Sequence, residues 1–178
     1  MRFAGIVLAV LFASSVASAI AADKADVPKK ALEEMGYRVG KWESKLLTDG
    51  IEESKPGHET TRWCPGKRSI RITSTFMENG VEIQTSGLVG WNAEKKQLIE
   101  HWYDSDGGYA TFCYSLDKKK DAWVGTFKWV QANGKVLAGD SIVEKKSKDL
   151  WECNLSCVDD GKKLTWQSFS KRAKGKAK

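Results

Sequence analysis

The sequence predicts an all-β fold: an antiparallel up-and-down β-barrel of about ten strands, preceded by one short helix. Two observations carry this expectation. From Gly40 onward, short runs of aromatic and β-branched residues are separated at nearly regular spacing by turn chemistry: TDG, CPGK, ENG, WNAEKK, DSDGG, DKKKD, ANGK, KSKD and DDGKK. Within the runs the residues alternate, so that Ile70, Ile72, Ser74 and Phe76 share one face, as do Trp123, Phe127 and Trp129.

Counting between the turns gives strands at 41–48, 58–64, 68–77, 81–91, 97–104, 109–117, 122–131, 135–145, 150–158 and 163–172. Every connection is short, so sequence neighbours should pair antiparallel. A meander of that many strands has two unpaired edges unless its first strand joins its last, and closure is therefore expected. No Gly-Ser or Pro-rich linker interrupts residues 40–172, which read as one barrel domain.

Ahead of the barrel, Arg2 precedes an apolar run from Gly5 to Val16 that passes into small residues, Ala17-Ser18-Ala19 and Ala19-Ile20-Ala21. This is the pattern of a signal peptide over 1–21, and it predicts export to a periplasmic or extracellular location. No cysteine stands at either cleavage site, so an N-terminal lipid is not indicated, and no later segment approaches the roughly 20 apolar residues of a membrane span. In 22–39, VPKKALEEMGYRVG places Ala31, Leu32, Met35 and Val39 at helical spacing, with Pro28 near the start and Gly36 and Gly40 near the end. The formal charge of +6 falls to +5 without Arg2, and much of the excess sits in KRAKGKAK, whose last residues, 173–178, read as a basic tail.

Four cysteines in a chain expected to be exported suggest disulfides. On a strand, Trp151, Cys153, Leu155 and Cys157 face one way, and the two cysteines lie roughly 13 Å apart. A disulfide needs Cα atoms within about 7 Å, so these two do not bridge each other. Two pairings remain: Cys64–Cys153 with Cys113–Cys157, or Cys64–Cys157 with Cys113–Cys153. The alternative is that some stay as thiols. No C-x-x-C spacing occurs, and no metal site is expected.

Gly40-Lys41-Trp42 after a short helix, an antiparallel meander, and Lys171-Arg172 on the last strand together resemble the calycins, the grouping of lipocalins and fatty-acid-binding proteins. GLVGWNAEKK, YDSDGG and DDGKKL are similar to segments of bacterial lipocalin-like domains of unknown function. The resemblance implies that Trp42 closes one end of the barrel and stacks on Arg172, a contact of roughly 0.5–2 kcal/mol. It also implies a ligand cavity. The chain departs from the lipocalin pattern in having more than eight strands, and from the fatty-acid-binding pattern in lacking a helix pair after the first strand.

Eight tryptophans, Trp42, Trp63, Trp91, Trp102, Trp123, Trp129, Trp151 and Trp166, fall on different strands. They either fill a core or line a cavity, and Trp123, Phe127, Trp129, Trp151 and Trp166 are the candidate ligand-binding set. Arg62, Arg71 or Arg172 would offer a ligand carboxylate a bidentate fork if one pointed inward. His101 and Tyr103 share a strand face and are the weak candidates for acid–base chemistry in a cavity, while His58 or His101 would be the ligand if the barrel held haem. No Ser-His-Asp order, phosphate-binding glycine loop or His-x-x-x-His helix appears, and DSDGG lacks the later ligands of a calcium loop. Asn154-Leu155-Ser156 is formally a glycosylation sequon in a strand interior.

Lysines gather in turns and the tail rather than along one strand face, which argues against nucleic acid as a partner. The expected function is therefore non-catalytic binding of a small apolar or amphipathic molecule, with no cofactor required. The alternatives are a cavity enzyme or haem-binding barrel using His101, and a solid-cored envelope module whose basic tail binds anionic polymer.

Overall fold

The computed structural model describes residues 26–78 and 80–174. The expected signal peptide and the last four residues of the basic tail lie outside them. Helix α1 spans Lys29–Arg38 and buries Ala31, Met35 and Arg38, one stripe at helical spacing. Pro28, with φ of −56°, precedes the first turn, where its missing N–H costs nothing, and extended Val39 ends the helix.

The strands are β1 Gly40–Thr48, β2 Ile51–Glu52, β3 Gly57–Trp63, β4 Ile70–Glu78, β5 Val81–Asn92 and β6 Gln97–Asp104, then β7 Tyr109–Asp117, β8 Ala122–Val130, β9 Val136–Ser147, β10 Leu150–Asp159 and β11 Lys162–Arg172. All pair antiparallel in one sheet, and β11 pairs with β1 from Trp42↔Arg172 to Thr48↔Trp166. The result is a closed ten-stranded barrel with β2 as an addition. That two-residue strand, absent from the sequence reading, arises because Asp49 and Gly50 both take positive φ, 49° and 82°, and turn the chain back onto Leu47 and Thr48. Pro56, without an N–H, stands in the break before pairing resumes at Gly57.

Period-two alternation sends one face of each strand inward. Around one end, Ala31 and Met35 of the helix pack with Trp42, Ile70, Ile72, Val89, Leu98, Tyr114, Trp123, Val143 and Trp151, so α1 plugs that end of the barrel. A smaller cluster of Phe127, Leu137 and Cys157, with Trp129, Leu155 and Trp166 against it, lies toward the other end. All eight tryptophans belong to or pack against these two clusters.

The plugged end is fixed by Arg172. Its guanidinium carbon sits 4.2 Å from the centroid of the Trp42 ring, while Nη1 donates to Val39 O and Nη2 to Tyr37 O, each at 3.0 Å. Those carbonyls end α1, where no helical N–H reaches them, and a cation is favoured beside them by the helix dipole. Trp42 Nε1 donates to Arg38 O at 2.7 Å, so the same two side chains hold both the seam and the helix. Gly40 has a φ of +139°, and a Cβ there would stand 2.6 Å from Arg172 Nη1. The glycine of Gly-x-Trp thus leaves room for the arginine.

Arg172→Ala should lower unfolding stability by about 3 kcal/mol, from the cation–aromatic contacts with Trp42 and Tyr37, the hydrogen bonds to two helix-end carbonyls and the ion pair with Asp149. Gly40→Ala should cost about 1–3 kcal/mol through φ strain and displacement of the guanidinium. Because both act on one contact, the double variant in urea denaturation should fall short of the sum.

Candidate functional site

The barrel interior holds charge as well as aromatic rings. Among the described residues, one arginine, Arg38, and two glutamates, Glu59 and Glu100, are buried. Arg38 reaches from α1 to form a two-pronged ion pair with Glu100 of β6, and Trp102 Nε1 donates to the Glu100 carboxylate at 3.0 Å. The Arg38 guanidinium also lies 5.5 Å from the Trp151 ring centroid. Burial works against the arginine's charge, but Glu100 and Glu59 outweigh it and hold the proton more firmly than in water. Arg38 Nε and Trp151 Nε1 are buried without hydrogen-bond partners, which leaves this knot under-satisfied.

Glu59, on β3, has no ion pair of its own among the described residues. Thr61 Oγ1 donates to Glu59 Oε1 at 2.8 Å. Burial raises the carboxyl above the ordinary range, and the Arg38 charge only partly offsets this. Around it stand hydroxyl pairs bridging strands: Ser44 with Ser170 at 2.7 Å, and Ser74 with Thr85 at 2.8 Å.

These groups form the floor of a cavity of about 250 Å³ that runs away from the helix. Its walls are aromatic and aliphatic, including Phe76, Phe112, Phe127, Trp129, Leu155 and Trp166. Phe127 meets Trp166 edge-on at 6.3 Å, and Trp129 meets Trp166 at 6.1 Å, which fixes one wall. Toward the open end lie Glu78 and Asp104, whose carboxyls burial and then neighbouring acids raise; Trp129 donates to Asp104 in partial compensation. The DSDGG run forms the adjoining hairpin, with Gly108 N donating to Asp106 Oδ1 at 2.9 Å.

Of the candidate ligand-binding residues, Phe127, Trp129, Trp151 and Trp166 line the cavity together. Trp123 does not. It packs beneath α1 with Glu34 and Val143, at the plugged end. Trp42 and Arg172 meet at that end, away from the cavity.

Other placements correct the sequence reading. His101 and Tyr103 do not face a cavity: both are exposed on the outer surface, His101 beside Thr111 and Tyr103 66% accessible. Strand phase gives the reason, since Glu100 and Trp102 take the inward positions of β6. His58 is exposed on β3 and borders the cavity. Arg62 and Arg71 are exposed on the outer face, and Arg172 is engaged at the plug, so none of these three offers a fork to the cavity.

The four cysteines are free thiols, and neither expected pairing forms. Cys153 and Cys157 take the inward phase of β10, whereas Cys113 alternates with inward Phe112 and Tyr114 and faces out. Cys64 follows β3 in the CPGK turn, where its N–H bonds Ser69 O. Cys153 lines the cavity; burial and then Glu100 push its thiol up to about 12, which makes it a poor nucleophile. Among the described residues no group of His, Cys, Asp or Glu side chains is placed to hold a metal ion.

The buried polar residues Glu59 and Glu100 were missed by the sequence reading. The available signal was phase: Glu59 and Thr61 keep step with Trp63, and Glu100 with Leu98 and Trp102.

A carboxyl raised by folding binds its proton more tightly in the folded chain than in the unfolded one. Its stabilising share is complete below the ordinary value of 4.5 and is lost as pH rises through the raised value. Glu59→Gln, which keeps the shape and discards the charge, should therefore flatten the loss of stability as pH rises above the ordinary value of 4.5. At neutral pH it should be more stable than the parent, read by urea denaturation at several pH values.

No family model matches the chain, and no curated protein matches it. Among solved structures it is similar to a redesigned β-barrel, with 8% identity and a TM-score of 0.42, over 79% of this chain and 95% of that one.

Proposed function

We propose that this protein is an exported, lipocalin-like barrel that binds a small, largely apolar molecule and holds it without transforming it. The cavity carries this reading. At about 250 Å³ it exceeds the roughly 150 Å³ that encloses a single benzene ring and approaches the roughly 300 Å³ at which drug-sized pockets begin. A compact ligand of one or two rings, or a short branched chain, suits that volume. A mostly apolar wall with a few polar groups is the usual composition of a small-molecule site.

Three features support retention over chemistry. The plug fixed by Arg172 and α1 closes one end of the barrel. The lining thiol, Cys153, is held protonated by burial. His101 and Tyr103, the acid–base candidates, are on the outside. The leader pattern over 1–21 supports export of the carrier.

Prodan, a neutral two-ring dye that brightens in apolar surroundings, should bind the mature barrel with saturable fluorescence. Ser168→Phe, which places a ring in the cavity without touching the plug, should abolish that signal while the thermal midpoint holds or rises. Unchanged dye binding in this variant would place the dye elsewhere and sink the carrier reading. Native mass spectrometry of protein from the exported fraction should show an added mass that denaturation removes.

A further inference from the structure

The cavity has a charge preference as well as a shape. Its ionisable lining groups, apart from bordering His58 and the thiol of Cys153, are carboxyls: Glu59 at the floor and Glu78 and Asp104 toward the open end. Among the described residues no lysine or arginine lines it, although the chain carries 29 of them and a formal charge of +6. An interior of one sign in a protein of the other is informative, because bulk composition would favour the reverse.

The floor sharpens the point. Two buried glutamates share one buried arginine, and Glu100 takes both prongs of Arg38. Glu59, 8% exposed, is left with the Thr61 hydroxyl as its hydrogen-bond donor among the described residues, and it is one of the residues that line the cavity. The interior therefore contains one carboxyl more than it has cations. A ligand carrying a positive charge would supply the missing counter-ion in a low-dielectric site where such a pair is strong. The surrounding oxygens of Ser44, Ser168 and Ser170 can accept the remaining N–H groups of a primary ammonium.

We infer that the ligand is a primary amine with a compact apolar body, bound with its ammonium on Glu59 and its body between Phe112, Phe127, Trp129 and Trp166. This inference rests on the carrier reading above and specifies its ligand class. The aromatic walls add attraction for a cation passing between them. Glu78 and Asp104 draw the cation toward the opening and act on the rate of entry. The same features disfavour carboxylic acids, which would meet Glu59 with like charge.

The test compares three probes of one shape: 2-phenylethylamine, 3-phenylpropionate and ethylbenzene, titrated calorimetrically at neutral pH against the mature chain and its variants. The amine should bind about tenfold or more tighter than either competitor. Glu59→Gln should bring the amine and ethylbenzene to within about threefold of each other. Glu78→Gln with Asp104→Asn should slow amine association and reduce its salt dependence while leaving dissociation unchanged.

If the acid or the hydrocarbon binds as tightly as the amine while the dye still enters the cavity, the amine assignment is wrong and the carrier reading stands. An amine preference that survives Glu59→Gln also overturns the assignment. Failure of the dye and all three probes would overturn both readings. The ranking in the unmodified protein decides the matter even if a variant folds poorly.

Discussion

The structure depends on how the first and last strands are joined. A closed barrel exists only if β1 and β11 pair, and those strands stand at opposite ends of the domain, so their contact carries the largest loop-closure cost in the fold. Arg172 secures it at its outermost pair, Trp42↔Arg172, by covering the tryptophan ring and donating to two carbonyls at the end of α1. The seam and the plug are thereby one contact set. Loss of the guanidinium would expose an edge of the sheet and leave helix-terminal carbonyls unpaired in the same event.

Plugging one end with charge has consequences along the axis. Arg38 enters the barrel because α1 ends above it, and a buried guanidinium needs a carboxylate, which Glu100 supplies. A second carboxyl, Glu59, then lies within that field without a full partner. Removing Arg38 would strand both acids, whereas removing Glu59 would leave a neutral pair. The interior is thus built in two steps: a satisfied ion pair that belongs to the fold, and a surplus acid that does not. A surplus buried acid costs stability at neutral pH, and natural proteins commonly hold such costs at functional positions.

Much of the architecture was legible because it is periodic. Turn residues at regular spacing and two-residue alternation mark strands such as 97–104 and 109–117, and Gly-x-Trp with a terminal arginine points to the plugged end. The interior polar groups were harder to read because burial follows phase rather than residue type. In QLIEHWYD, histidine and tyrosine look like the chemical residues, yet the inward phase belongs to Leu98, Glu100 and Trp102. The phase was available from Trp102. A hydrophilic residue between apolar neighbours two positions away is better read as buried than as exposed, whereas Glu59, flanked in phase by Gly57 and Thr61, has only Trp63 four positions on to mark its side as inward. The cysteines show the converse. Their even number suggested bonds, but one residue of phase separates Cys113 from Cys153 across the barrel wall, and nothing in a cysteine count records which face a strand presents.

The split between outside and inside also governs how charge should be interpreted here. Arg38 is the one fully buried basic residue among those described, and the other described lysines and arginines lie wholly or partly at the surface. Their summed field at the exterior is screened within about 8–10 Å at moderate salt. A charge placed in the cavity would instead be controlled by groups within hydrogen-bonding distance, in a medium where a single unpaired carboxyl outweighs distant lysines. A positive total charge therefore says little about what the barrel holds. The relevant quantity is the balance of ionisable groups facing the cavity, and in this chain that balance is negative.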